Sequence, residues 1–271
     1  MKKTIAYLSI FLFGICQISW GQTKNLDGSW THANCMVSQA KSKHPQEKAF
    51  ATSGSATSTN WSGYAIGKAH PEYDIVNYAY GSWTVPTISP SANTTYSSVW
   101  VGIDGFSSNS VEQIGTEHDW TNGAQVNYAW FEMYPLGSYQ ITGFPLNIGD
   151  VIGAEVNYLG SNVFQLTLFN YTQKVYFAVP TSYTTSSTAQ RNSAEWIVEA
   201  PYDGGILPLA NFGNVTFTNC TVEINRTTGP INDRWWQNDA INMESSTGAP
   251  EAATSALTAN GEGFSVTWES E

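Results

Sequence analysis

From Asn60 onward the chain is written in short alternating runs, each closed by Gly, Pro, Asn or Ser, with hardly any helical spacing among them. Examples are GSWTVP (81–86), SSVWVGID (97–104), YAWFEMYP (128–135), DVIGAEVNYL (150–159), AEWIVEAP (194–201) and GFSVTWE (263–269). Val, Tyr, Trp, Phe and Thr fill these runs, and such residues fit a pleated, half-buried surface. Turn residues at this interval leave room for ordinary strands and none for crossover helices. The pattern requires an all-β fold, an antiparallel sandwich or barrel. No internal repeat is visible, so residues 56–271 read as one domain.

Side-chain alternation carries more than the fold, because successive residues on a strand point to opposite faces. In SAEWIVE (193–199), Trp196 and Val198 share one face while Glu195, Ile197 and Glu199 share the other. Trp100, Gly102 and Asp104 share a face, as do Trp130, Glu132 and Tyr134. Val111 and Gln113 stand together with Glu112 opposite. A solvated face would be rich in Lys, Thr and Ser. A face mixing Trp, Tyr and carboxylate suits a cleft for an extended polymer, peptide or polysaccharide.

The first 21 residues, MKKTIAYLSIFLFGICQISWG, combine two lysines, an apolar run and small residues near its end, the pattern of a secretory signal peptide. The expectation is export, extracellular or periplasmic, with no membrane attachment after cleavage. Residues 22–55 form a polar, irregular leader that is basic, with Lys24, Lys41, Lys43 and Lys48 against Asp27 and Glu47. The body is strongly acidic, its only Lys and Arg being Lys68, Lys174, Arg191, Arg226 and Arg234. A basic leader before an acidic body suggests a possible pro-segment. Acidity excludes nucleic acid, whose phosphates require basic groups. It suits acidic surroundings, where carboxylates neutralise and few cations repel. Cys35 and Cys220 allow a single disulfide at most, and no CxxC or zinc-type cluster is present. No metal or cofactor is expected, and the chain reads as a monomer.

Familiar catalytic machinery is missing. There is no GxSxG elbow, no HExxH, and no pair of Asp-Thr/Ser-Gly loops. The four histidines are scattered, two of them (His32 and His44) in the leader, and His118 in TEHDW reads as a loop residue. Carboxylates and amides remain.

NWSGYAI, GSWTVP, VWVGIDG…VEQIG, YAWFEMYP, AEWIVE and LANFGNVTFTNC, in this order and spacing, closely resemble the glutamic peptidases (eqolisins). The resemblance runs from about Asn60 to Cys220, and GFSVTW extends it. It implies two antiparallel sheets packed as a concanavalin/lectin-like jelly-roll sandwich. It also implies an acid-acting, pepstatin-insensitive endopeptidase whose catalytic pair is Gln113 and Glu199. Trp61, Trp100, Asp104, Trp130, Glu132 and Tyr134 match positions that line the family's substrate cleft. Glu117 stands where the fungal enzymes usually have Asp, and Ala200 replaces an acid after Glu199. Glu195 is the weaker candidate, a supporting or surface carboxylate. The rival readings are a lectin-like carbohydrate-binding module and a glycoside hydrolase using Glu132 with Glu199.

Overall fold

The computed structural model of the protein describes residues 29–40, 44, 50–52, 54–67 and 75–271. The signal peptide expected over 1–21 lies outside these residues, as does much of the leader. Nineteen strands and one short 3-10 turn at Thr181–Tyr183 account for the regular structure among them. The strands are β1 (Thr31–His32), β2 (Met36–Gln39), β3 (Phe50–Thr52), β4 (Ser55–Ser58), β5 (Trp61–Gly67), β6 (Val76–Thr84) and β7 (Ser98–Ile103). There follow β8 (Val111–Thr121), β9 (Ala124–Tyr134), β10 (Ser138–Thr142), β11 (Val151–Gly160), β12 (Val163–Asn170) and β13 (Val175–Ala178). The last are β14 (Ala194–Glu199), β15 (Asn214–Ile224), β16 (Thr227–Gly229), β17 (Gln237–Glu244), β18 (Pro250–Thr254) and β19 (Phe264–Trp268).

One ladder runs β13–β12–β11–β6–β15. The other runs β2–β10–β9–β8–β7–β14–β5–β17–β4–β3. Strand β15 also pairs with β19, which pairs with β18 and so with β17 of the second ladder, making the two one hydrogen-bonded network. Its residues 214–217 pair with β19, and 218–224 pair with β6. Asn219, in the left-handed region at φ 55°, sits in the irregularity where the partner changes, a conformation Asn tolerates better than most residues.

Hydrophobic side chains from both ladders pack into one core, including Trp83 and Phe164 from the first and Phe131 and Trp196 from the second. Trp196 is fully buried, and its indole N–H donates to the Tyr80 carbonyl at 2.8 Å. It ties β14 to β6 across the core.

The expected antiparallel pairing holds with two exceptions. β1 runs parallel to β13 and β4 runs parallel to β17. Both exceptions involve strands before residue 60, where the sequence read as irregular. Strands join a sheet through backbone groups, so a polar sequence such as SATS of β4, paired with β17 on one side and β3 on the other, can enter one without a hydrophobic signal. Cys35 and Cys220 are both free thiols.

Candidate active site

Strands β9, β8, β7, β14 and β5 lie side by side and present one shared face. Register puts Glu132 opposite Gln113, Gln113 opposite Gly102, Trp100 opposite Ile197, and Glu199 opposite both Ser98 and Trp61. Two glycines on this face, Gly115 and Gly102, have a steric reason that bears on Trp100. A Cβ on Gly115 would stand 2.3 Å from the Val99 carbonyl oxygen and 2.5 Å from Trp100 Cβ. One on Gly102 would stand 2.8 Å from the Trp100 ring. Their bareness lets Trp100 lie across the sheet and reach the end of β14. Trp61, Trp100, Trp130 and Ile197 form an apolar cluster on this face, with Tyr134 and Phe106 packed at its margin.

Polar groups converge on that cluster. Trp100 Nε1 donates to Glu199 Oε2 at 2.7 Å, and Asn60 Nδ2 donates to Glu199 Oε1 at 3.2 Å. Gln113 Nε2 donates to Glu132 Oε2 at 3.0 Å and to the backbone carbonyl of His44 at 2.9 Å. Since a carbonyl oxygen can only accept, the orientation of the Gln113 amide is fixed. Trp130 is held by donating to Ser98 Oγ at 2.9 Å.

His44 is the residue that sequence reasoning missed. It comes from the leader, is 1% exposed, and meets Glu132, Glu199, Gln113, Glu117 and Trp130. Its backbone N–H donates to Glu132 Oε2 at 3.0 Å, and its Nδ1 lies 3.1 Å from Glu199 Oε2. Its ring stacks on Trp130 at 3.6 Å between centroids and 9° between planes. Its Nε2 lies 3.9 Å from Glu117 Oε2. No signal in AKSKHPQEK marks it out, because a polar stretch says nothing about which residue will be buried by another part of the chain.

Burial dominates the electrostatics. It raises Glu199 well above the usual carboxylate range, opposed by the indoles of Trp100 and Trp61. Glu132 is raised to about 7 by burial, opposed by the His44 ring and backbone. Glu117 is raised well above its usual value by burial and by the neighbouring charges of Asp119 and Glu199. Burial lowers His44 to about 4, against the pull of Glu132. Burial thus favours the neutral form of all three carboxyl groups, and His44 works against it at Glu132.

The remaining candidates lie further off. Asp104 directly follows β7 at φ 69°, and its carboxylate accepts the backbone N–H groups of Gln190, Arg191 and Asn192 at 2.7, 2.7 and 2.8 Å. Glu195 is fully buried and accepts the Phe106 N–H at 3.3 Å. Four residues along a strand put it about 13 Å from Glu199, and it is not a surface group. His118 lies within β8 and not in a loop. Its ring nitrogens meet Thr116 Oγ1 at 2.9 Å and Asn127 Oδ1 at 3.0 Å, on the opposite face of the sheet from Gln113.

The Peptidase A4 family model matches residues 59–268. Aspergillopepsin-2 of Aspergillus niger is 28% identical over 190 residues, which cover 62% of this chain and 65% of that protein. Scytalidopepsin B of Scytalidium lignicola is 28% identical over 172 residues, covering 60% of this chain and 63% of that protein. Each match thus spans just under two thirds of the relative's length. The crystal structure of scytalido-glutamic peptidase with a peptide-based transition state analog is similar in fold. Its TM-score is 0.64 at 23% identity, covering 78% of this chain and 98% of that one.

Proposed function

The chain belongs to the Peptidase A4 family, and from that premise we propose that it is an exported, acid-acting endopeptidase in which Glu199 and Gln113 turn water against a peptide bond. The observation that carries this reading is the pair of contacts to His44. The Gln113 amide donates to a peptide carbonyl oxygen at 2.9 Å, and Glu199 lies 3.1 Å from the same residue. On this reading the His44 carbonyl stands in for the scissile carbonyl of a substrate.

Glu199 as carboxylate takes a proton from water, and the oxygen attacks the carbonyl carbon. Charge then gathers on the carbonyl oxygen, where the Gln113 N–H receives it. Glu199 returns its proton to the leaving nitrogen as the C–N bond breaks, giving a new acid and a new amine. Glu132 takes the second N–H of the Gln113 amide and so aims the first. Glu199 must be ionised to begin. Its high value belongs to a closed site, and water entering with a substrate brings it back towards the ordinary range near about 4.3. Turnover then runs at acid pH. Pepstatin, made for a pair of aspartates, finds none here.

The same reading removes residues 1–21 on export and treats residues 22–55 as a pro-segment before a catalytic body over 56–271. The family match over 59–268 supports that division. The two ladders then correspond to the two sheets of a lectin-like jelly-roll sandwich, supported by the single core drawn from both.

Three variants test the chemistry by casein cleavage at acid pH after confirmation of fold. Gln113→Glu loses the oxyanion donor, and turnover drops about 10²–10³-fold. Glu199→Gln loses the base and drops at least as far. Glu195→Gln keeps most activity, since Glu195 moves no proton. A dead Glu195→Gln beside an active Glu199→Gln would assign catalysis to the other glutamate of the strand.

A further inference from the structure

We propose that Asn60 is a positioning residue for the base: its side-chain amide, aimed by Ser58, anchors one oxygen of Glu199 and favours the carboxylate, while the other oxygen is left to meet the substrate. The proposal rests on the peptidase reading for its function and on hydrogen-bond geometry for its placement.

The first argument is how the Asn60 amide is oriented. Asn60 directly precedes β5 and is fully buried. Its carbonyl accepts the Ala200 N–H at 2.9 Å, which continues the β5–β14 pairing one step beyond Trp61 and Glu199. Ser58 ends β4, and its Oγ accepts two backbone N–H groups, that of Asn60 at 3.3 Å and that of Trp61 at 3.1 Å. A hydroxyl has two acceptor sites and one proton. With both acceptor sites taken, the proton goes to Asn60 Oδ1 at 3.3 Å. The amide then turns its Nδ2 to Glu199 and donates to Oε1 at 3.2 Å. Its direction is set by the backbone between β4 and β5, independently of the carboxyl group it serves.

The second argument is that the two oxygens of Glu199 are not equivalent. Trp100 Nε1 donates to Oε2 at 2.7 Å, so Glu199 is held from two sides, by β7 and by the β4–β5 connection. His44 Nδ1 approaches Oε2 at 3.1 Å, and His44 occupies the substrate's place in the peptidase reading. Oε2 is therefore the working oxygen and Oε1 the anchored one. A donor that stays with the charged form favours it, against burial, which opposes it. Without the Asn60 amide, Glu199 keeps its proton to higher pH. The titratable groups around Glu199 are Glu132 on β9, Glu117 on β8 with Asp119 beside it, and His44. Trp100 and Ser98 on β7 and Trp61 on β5 carry no charge. None of these changes with residue 60, so a shift in the titration of Glu199 reads the Asn60 contact.

The experiment measures kcat/KM for peptide cleavage against pH, using the full exported chain once its activity at acid pH is constant. In wild type the acid limb marks ionisation of Glu199. Asn60→Leu, similar in shape and without a donor, moves that limb up by about one pH unit, and kcat/KM recovers above it. Ser58→Ala moves it the same way by less. The double variant moves it no further than Asn60→Leu alone, because Ser58 acts through Asn60. If Asn60→Leu does not fold, Asn60→Ser, too short to reach Oε1, takes its place. An acid limb that stays put, or shifts that simply add, would overturn the proposal and leave Asn60 with a role in folding only. A second readout does not depend on activity. In protein carrying carbon-13 at the glutamate side-chain carboxyl, the resonance lost in Glu199→Gln belongs to Glu199, and its titration midpoint rises in Asn60→Leu by the same amount. An unchanged midpoint would also overturn the proposal. If wild type cleaves no peptide at any pH, the peptidase reading fails, and the Glu199 midpoint still decides this one.

Discussion

Gly115 is a single residue on which the site's geometry depends. Its missing Cβ leaves room for Trp100, whose indole N–H is the shortest hydrogen bond to Glu199. Gly115→Ala places a methyl 2.3 Å from a backbone oxygen, which no rotamer change relieves. The expected cost is about 2–3 kcal/mol or more, read as a lowered midpoint in denaturant unfolding at acid pH. Gly205→Ala, at a position with open space, changes stability by less than about 0.5 kcal/mol. A tolerated Gly115→Ala would mean that β7 and β8 can part without loss. Gln113, Glu199 and the tryptophans were legible in the sequence because family blocks carry them. Trp100 and Gly115 show the physics behind one such block, a large ring that requires bare backbone across from it. His44 was not legible, because its place beside Glu199, Glu132 and Gln113 comes from tertiary contacts and not from its neighbours in sequence.

At the scale of elements, alternation gave the strands well, and β14 behaves as read: Trp196 and Val198 in the core, Glu195, Ile197 and Glu199 on the other face. Alternation could not say that this second face is also buried, since every residue of β14 is covered. Nor could it find β1 and β2, whose short polar runs earn no packing signal. The end of β7 shows how an element boundary can bear on function. Asp104 holds the backbone of residues 190–192, just before β14, through three N–H groups. Asp104→Ala leaves those donors unpaired and should cost about 3 kcal/mol or more. Amide exchange at residues 190–192 should accelerate before global unfolding, and the Michaelis constant for peptide should change less than stability. A large rise in that constant with unchanged exchange would place Asp104 in the substrate cleft, as the family resemblance implies.

For the whole molecule, the buried carboxyl groups set the response to pH. Glu112, Glu117, Glu195 and Glu199 are raised well above their usual values, and Asp119 and Glu132 are raised to about 7, in each case chiefly by burial. A raised carboxyl keeps its proton in the folded state at a pH where the unfolded chain has lost it. The stability it contributes is complete below about pH 4, the unfolded value, and is lost as pH climbs through the folded values near 7 and above. His44 and His118, both lowered to about 4 by burial, act in the other direction. Their contribution is present above about 6.5 and is lost as pH falls through about 4. Between pH 4 and 6.5 six acids oppose two histidines, so the folded state binds the more protons and stability falls as pH rises. The acidic body adds repulsion in the same direction, with 22 Asp and Glu against 11 Lys and Arg in the whole chain. Calorimetry on full-length Glu199→Gln, chosen so that the protein does not digest itself, should find its highest melting temperature at or below about pH 5. The melting temperature should then decline steadily to pH 8. A melting temperature that rose between pH 5 and 7 would show that the five remaining carboxyl groups, Glu112, Glu117, Asp119, Glu132 and Glu195, are ionised in the fold and that their surroundings are hydrated.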